Sequence, residues 1–173
     1  MQILIKAVEF SARKHKDQRR KDVDASPYVN HPISLANILA NEAGVSDIAV
    51  ICGALLHDTV EDTNTTFEEL EREFGVEIKD IVKDVTDDKT LEKAVRKQAQ
   101  IDHAALASPK AKLVKLADKI SNLRDIATSP PGDWSVERKQ AYFDWAKLVV
   151  DQVRGVHPAL EALFDQAFSA KPK

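Results

Sequence analysis

Four ionisable side chains follow an apolar stretch in the sequence ALLHDTVEDT, residues 54–63. They are His57, Asp58, Glu61 and Asp62. Burying charged groups at the end of a core helix is costly unless they are paired or bind a metal ion. An imidazole beside a carboxylate offers two ligands for a divalent cation. A metal site would therefore explain the cluster, and a solvated helix end is the alternative.

Two further ligands could come from distant parts of the chain. His31 lies in the segment PYVNHP, and Asp118 lies in KLADKISN, inside an apolar helical pattern. Two imidazoles and two carboxylates suit Mn²⁺, Fe²⁺, Zn²⁺ or Mg²⁺ and do not favour metals that prefer thiolates. Such an ion lowers the pKa of bound water and polarises a phosphoryl group. The residue types therefore indicate hydrolytic chemistry, although Asp118 alone could be a surface aspartate.

Two acidic side chains lie one helical turn beyond the candidate ligands. Glu61 and Asp62 each follow a candidate ligand by four positions, so a continuous helix would place them on the same face. There they could orient an attacking water or transfer a proton. Asn122 follows Asp118 at the same spacing, and its amide could hold a substrate hydroxyl or an ordered water.

A cluster of cations precedes the segment that contains His31. Arg20 and Lys21 end this cluster, which begins at Arg13. A guanidinium offers a planar fork for phosphate and a flat face for stacking on a base. The alternative is a solvated helix end, where cations suit the helix dipole. Because the net charge is −3, an anionic ligand would need such a local basic patch.

The composition is typical of a globular helical protein. Hydrophobic residues make up 43% of the chain and charged residues 31%. Apolar residues recur at helical spacing, with no lasting strand-like alternation, so we predict an all-α, single-domain helical bundle over residues 1–173. We expect a first helix to about Lys16, a second from Pro32 to Gly44, and a final helix over about 157–169. Capping residues at 46–47, at Thr66 and at Ser108 predict three further helix starts.

The remaining composition limits partners and compartment. The negative net charge argues against nucleic-acid polymers and anionic membranes as partners. The single cysteine, Cys52, is expected to be a small buried group, and its isolation fits a reduced, cytoplasmic compartment. No apolar stretch has the length of a membrane span or the pattern of a signal peptide. The other histidines, His15, His103 and His157, are expected at the surface.

Four segments together resemble a known family. RRKDVDASPYVNHP, ALLHDTVEDT, VTDDKT and KLVKLADKISNLRDI, in this order, are similar to the HD-domain hydrolases of the RelA/SpoT superfamily, in particular to its small stand-alone group. The likeness extends over about residues 6–150. The segment VDASPY lacks the glycine that many members carry before the proline.

The resemblance implies an all-α hydrolase that holds one Mn²⁺ and removes the 3′-pyrophosphate from the guanosine alarmones (p)ppGpp. The implied metal ligands are His31, His57, Asp58 and Asp118. The implied catalytic pair is Glu61 and Asp62. The implied nucleotide-binding residues are Arg20, Lys21, Tyr28, Lys93, Asn122, Arg138 and Tyr142.

Two other functions stay open at this point. The same site could remove the 2′-phosphate of NADPH, or it could bind a nucleotide without turnover. The length leaves no room for the synthetase domain of the long family members, so we expect degradation of the alarmone and not its synthesis.

Overall fold

The computed structural model describes residues 1–173 as α-helices joined by turns, with one isolated β-bridge and no strand. The all-α prediction is thus confirmed. None of the helices combines the length and the hydropathy needed to cross a bilayer. The helices are α1 (Gln2–Lys14), α2 (Asn30–Asn37), α3 (Ile48–Leu56), α4 (Thr59–Asp62), α5 (Phe67–Phe74), α6 (Val76–Val85), α7 (Lys93–Ala104), α8 (Pro109–Thr128), α9 (Val136–Asp151) and α10 (Pro158–Ser169).

Helix α3 forms the centre of the bundle because it is apolar on all sides. Every residue from Ala49 to Leu56 is buried, and helices α1, α2, α6 and α8 pack around it. Gly53 lets α6 approach closely, since a Cβ at this position would lie 2.5 Å from Cγ2 of Ile81. The residue that follows α3, His57, therefore emerges in the interior of the protein.

Side-chain caps define the starts of several helices. Asp47, Thr66 and Ser108 each accept a hydrogen bond from a backbone N–H in the first turn of α3, α5 and α8, respectively. Such caps satisfy donors that have no partner inside the helix. Gly75, with φ of 87°, separates α5 from α6. The sequence patterns predicted these starts, and the structure confirms them.

The second helix differs from its predicted bounds. It begins at Asn30 and changes after Asn37 into a π-helical turn, Ile38–Glu42. Pro32 lies in the first helical turn, where a backbone N–H has no partner inside the helix, so the absence of this group in proline costs no hydrogen bond. The first helix also ends earlier than expected, at Lys14.

Helix α7 is the least buried of the longer helices. Only Ala104 of its residues is buried, and its main packing partner is α9. Helix α8, by contrast, packs against α3, α6 and α10 and carries nine buried residues. As a result α8 is anchored beside α3, whereas α7 contacts the rest of the bundle mainly through α9.

Candidate metal centre and catalytic pocket

Three potential ligands from three helical segments meet at one point. His31 of α2, His57 at the end of α3 and Asp118 of α8 each place a ligand atom within 4.8 Å of the others. Nε2 of His31 lies 3.2 Å from Oδ1 of Asp118, and Nε2 of His57 lies 4.0 Å from the same oxygen. The distant residues that the sequence suggested are thus brought together.

Both histidines direct Nε2 towards this point. The Nδ1–H of His57 donates to the carbonyl of Ala54 at 2.8 Å, which leaves Nε2 with a free lone pair. This buried Nε2 has no hydrogen-bond partner. Nδ1 of His31 lies 3.3 Å from Oγ of Ser121. Metal-binding histidines commonly engage their second nitrogen in this way, so the arrangement fits a bound cation.

Asp58 lies at the edge of the same cluster. Its Oδ2 is 2.9 Å from Nε2 of His57 and 4.0 Å from Nε2 of His31, but neither contact forms a hydrogen bond. The same oxygen accepts a hydrogen bond from the hydroxyl of Tyr28. A fourth ligand is therefore available next to the three that already converge.

The electrostatics of the cluster also fit a cation. Burial alone would lower the pKa of His57, but the carboxylates of Asp58 and Asp118 outweigh burial and raise it to about 9. Burial acts in the opposite sense on the two aspartates, yet the neighbouring positive groups hold the pKa of each well below its usual range. The centre thus attracts positive charge, which a divalent ion would supply in place of a proton.

Glu61 stands beside this centre in a different environment. Helix α3 ends before His57, so Glu61 lies on the short helix α4 and not on a continuation of α3. Its Oε2 accepts a hydrogen bond from the backbone N–H of Asp87 at 3.1 Å. Burial, followed by the negative charge of Asp58, raises the pKa of Glu61 to about 7. This carboxyl group can therefore exchange a proton near neutral pH.

Asp62 is held by two donors. Nε2 of Gln18 donates to its Oδ2 at 2.8 Å, and Nζ of Lys89 donates to its Oδ1. Gln18 is in turn fixed by Nδ1 of His15, which lies 2.6 Å from its Oε1. The expectation that His15 is a surface residue is wrong, since it is 2% exposed and packs against the ring of Tyr28. His15 thus supports the acidic pair indirectly.

Two adjoining cavities open at the metal centre. The smaller, about 300 Å³, lies below α7, and the larger, about 550 Å³, extends towards Lys21 and Trp134. All of the predicted site residues except Lys21 and Arg138 line the smaller cavity. Those shared by both cavities are Arg20, Tyr28, His31, Asp62, Asn122 and Tyr142.

A known protein family matches the part of the chain that contains the candidate metal centre. The sequence model described as HD domain matches residues 7–145, which include every ligand described above. The chain belongs to the HD-domain family. The match covers more than half of the chain, and no ligand position falls outside it.

Individual relatives refine this assignment within the HD-domain family. Guanosine-3′,5′-bis(diphosphate) 3′-pyrophosphohydrolase MESH1 of Xenopus tropicalis is 54% identical over 96% of this chain and 93% of its own. The MESH1 protein of Danio rerio is 52% identical over 96% of this chain and 92% of its own. A solved structure, described as a metazoan ortholog of SpoT that hydrolyzes ppGpp, superposes with a TM-score of 0.93, at 48% identity over 96% and 94% of the two chains.

Three of the predicted nucleotide-binding residues contact other side chains of the HD domain. The guanidinium of Arg20 pairs with Asp125 and lies 5.8 Å from the ring of Tyr28. Nδ2 of Asn122 donates to Oδ1 of Asp118 at 2.7 Å, so its amide orients a candidate ligand. Arg138 lies outside both cavities. It stacks 4.5 Å from the ring centre of Trp134.

Several site residues of the HD domain were missed at the sequence level. Gln18, Lys89 and Gln100 connect to the acidic pair or to its neighbours through hydrogen bonds. Lys119, which is 4% exposed, donates to Oδ2 of Asp118 at 3.0 Å. A charged residue directly after a candidate ligand in an apolar helix was the available signal for Lys119. The other contacts depend on tertiary packing and leave no sequence pattern.

Proposed function

We propose that this HD-domain protein is a metal-dependent guanosine-3′,5′-bis(diphosphate) 3′-pyrophosphohydrolase. It converts ppGpp to GDP, and pppGpp to GTP, and releases pyrophosphate. The observation that carries the proposal is the convergence of two histidines, two aspartates and an acidic pair on one cavity. The MESH1 relatives, which match nearly the whole chain, are named for this activity.

The reaction transfers the diphosphoryl group from the 3′ oxygen to water. A bond forms between the water oxygen and the phosphorus next to the ribose, while the bond from this phosphorus to the 3′ oxygen breaks. The 3′ oxygen takes up a proton, and pyrophosphate leaves. A divalent cation held by His31, His57, Asp58 and Asp118 would supply positive charge that polarises the reacting phosphate and lowers the pKa of water at the site.

The two carboxylates of the acidic pair have different roles. Because the pKa of Glu61 is raised to about 7, this residue can accept a proton from the attacking water at neutral pH. Asp62, fixed by Gln18 and Lys89, orients that water. The two residues are neighbours in the chain, so their different roles follow from their different hydrogen-bond partners.

The nucleoside occupies the larger cavity. The flat guanidinium of Arg20 and the ring of Tyr28 offer surfaces against which a guanine can stack. Asn122 and Tyr142 lie where the two cavities meet, which suits contacts with the ribose and its 3′ phosphate. Lys21 lines the larger cavity. Lys93 lines the smaller cavity, whereas Arg138 lines neither cavity and stacks against Trp134.

The proposal includes Mn²⁺ as the ion and the cytoplasm as the compartment. Two nitrogen and two oxygen ligands suit Mn²⁺ better than metals that prefer sulfur. Cys52, buried and unpaired, is compatible with a reducing compartment.

Hydrolysis of ppGpp in the presence of Mn²⁺, followed by chromatography of the products, tests this function. We expect GDP and pyrophosphate from the wild type, loss of both metal and activity in His57→Ala, and a rate roughly 10²–10⁴ lower in Glu61→Gln with the metal retained. The exposed Glu68→Gln on α5 is the matched control. A wild type without product, or a Glu61→Gln rate equal to that of the control, would refute the proposal.

A further inference from the structure

Several cations of α7 and α8 line the smaller cavity, and the roles assigned to the metal ligands and the acidic pair do not account for them. Arg96 and Lys97 of α7 and Lys115 and Lys119 of α8 all line it, next to Lys93. We call these five residues the basic wall. None of the five lines the larger cavity, and they concentrate positive charge in a protein whose net charge is −3.

Most cations of the basic wall lack a counter-ion. Lys119 is paired with Asp118, but no carboxylate oxygen lies within 4.0 Å of a side-chain nitrogen of Arg96, Lys97 or Lys115. Nε of Arg96 is buried and has no hydrogen-bond partner. Partly buried cations without partners are unfavourable, so the wall is arranged to receive an anion.

The neighbours of Lys97 show the same excess of positive charge. Its Nζ lies 4.7 Å from the ring centre of Trp145, which holds the side chain against the cavity. Burial, together with the charges of Lys93, Lys119 and Arg138, lowers the pKa of Lys97. An anion between these groups would relieve their mutual repulsion and draw donors from both helices.

The position of the wall relative to the metal centre identifies the anion. This step rests on the proposed function, in which the nucleoside occupies the larger cavity and the phosphorus that reacts lies at the metal centre. The second phosphate of the 3′-diphosphate then points away from the ribose. All four candidate ligands line the smaller cavity, and the residues of the basic wall are absent from the larger one. The smaller cavity can therefore receive the second phosphate, and its volume of about 300 Å³ accommodates a phosphate group.

We propose that the basic wall is a diphosphate subsite, in which Arg96, Lys97 and Lys115 bind the distal phosphate of the 3′-diphosphate and then the pyrophosphate that leaves. The subsite makes the enzyme prefer a ribose diphosphate to a ribose monophosphate. A substrate such as NADPH, whose 2′ position carries one phosphate, gains nothing from these three cations.

Binding of inorganic pyrophosphate and of orthophosphate to the Mn²⁺-loaded protein tests the subsite directly, by calorimetry at fixed free Mn²⁺. We expect the pyrophosphate Kd to rise roughly 10-fold or more in Lys97→Met and in Arg96→Gln, because each loses a charge-assisted hydrogen bond. The orthophosphate Kd should change less. Lys83→Met, an exposed lysine on α6 outside both cavities, is the matched control.

Two substrate analogues determine which phosphate the wall binds. Guanosine 5′-diphosphate 3′-monophosphate lacks the distal 3′ phosphate, and guanosine 5′-monophosphate 3′-diphosphate keeps it. As competitive inhibitors or substrates, only the second should bind more weakly in Lys97→Met than in the wild type. A loss of affinity confined to the first analogue would place the 5′-diphosphate at the wall and overturn the proposal.

The two measurements separate failure of the subsite from failure of the proposed function. If the wild type does not hydrolyse ppGpp but the variants still lose pyrophosphate binding, the subsite stands and the reaction is wrong. If ppGpp is hydrolysed and pyrophosphate binds Lys97→Met, Arg96→Gln and the wild type equally, the subsite is wrong and the reaction stands.

Discussion

Adjacent residues in this site differ in chemistry because their partners differ. Glu61 receives one backbone hydrogen bond and sits close to the negative charge of Asp58, so its pKa is raised. Asp62 receives a hydrogen bond from an amide and an ion pair from Lys89. Environments of this kind separate the roles of paired carboxylates in hydrolases. Glu61 is therefore suited to proton transfer and Asp62 to a fixed position.

The amide of Gln18 positions Asp62, and its removal tests that role. We expect Gln18→Ala to lower kcat for ppGpp roughly 10- to 100-fold, as is typical for residues that orient an active-site group, with a smaller change in KM. In an Asp62→Ala background the same substitution should have no further effect. Equal losses in both backgrounds would show that Gln18 acts elsewhere.

The raised pKa of Glu61 also predicts a pH-dependent stability. The pKa rises from an ordinary value of 4.5 to about 7 in the folded protein, so the folded state binds the proton more tightly than the unfolded chain. Stability of the metal-free protein is then lost as the pH rises from 4.5 to 7.

Glu61→Gln keeps an acceptor for the N–H of Asp87 and removes this titration. The metal-free variant should be more stable than the wild type at pH 8, by on the order of 2 kcal/mol, and the difference should be small near pH 4.5. Urea unfolding with a chelator present, at both pH values, measures it. A difference that does not vary with pH would contradict the assignment.

At the scale of elements, local sequence signals predicted helix starts better than helix ends. Caps such as Asp47 and Thr66 are local features, and both were correctly identified. The end of α3 at Leu56 and the π-helical turn after α2 depend on packing against other helices, for which the sequence has no local pattern. The burial of His15 was missed for the same reason, since Tyr28 and Gln18 cover it.

The loop before α2 contains a strained residue that can be tested. Ala25, in the segment VDASPY, adopts a φ of 47°. This conformation costs an L-residue about 1–2 kcal/mol, and glycine loses roughly 0.5–1 kcal/mol through its greater freedom when unfolded. Ala25→Gly should thus stabilise the protein by about 0.5 kcal/mol.

Denaturant unfolding compares this variant with Ala141→Gly, a substitution at an exposed position inside α9. The control should be destabilised by about 1 kcal/mol, because glycine is unfavourable in a helix interior. If both substitutions destabilise the protein to the same extent, Ala25 is not strained.

At the scale of the whole molecule, residue types predicted the candidate site better than contacts did. His31, His57 and Asp118 were selected as possible ligands by their chemistry, and the fold brings them together. The basic wall was not predicted as a group. Helix α7 has few large apolar residues, so its sequence gives no indication of which face meets the cavity.

The convergence of three chain segments on one ion makes metal binding a determinant of global stability. A cation that binds only the folded state stabilises it by about 2.7 kcal/mol at 100 times its Kd. For a domain of this size that corresponds to a rise in Tm of about 5–10 °C. We expect this rise when Mn²⁺ is added to the chelator-treated wild type.

The same experiment on variants identifies where the ion binds. Asp118→Asn should show a much smaller rise in Tm, measured from its own metal-free value, because it weakens a ligand on α8. His103→Ala, at an exposed position on α7, should respond as the wild type does. A full rise in Tm for Asp118→Asn, or none for the wild type at saturating Mn²⁺, would mean that the three segments are held together by packing alone, without a shared cation.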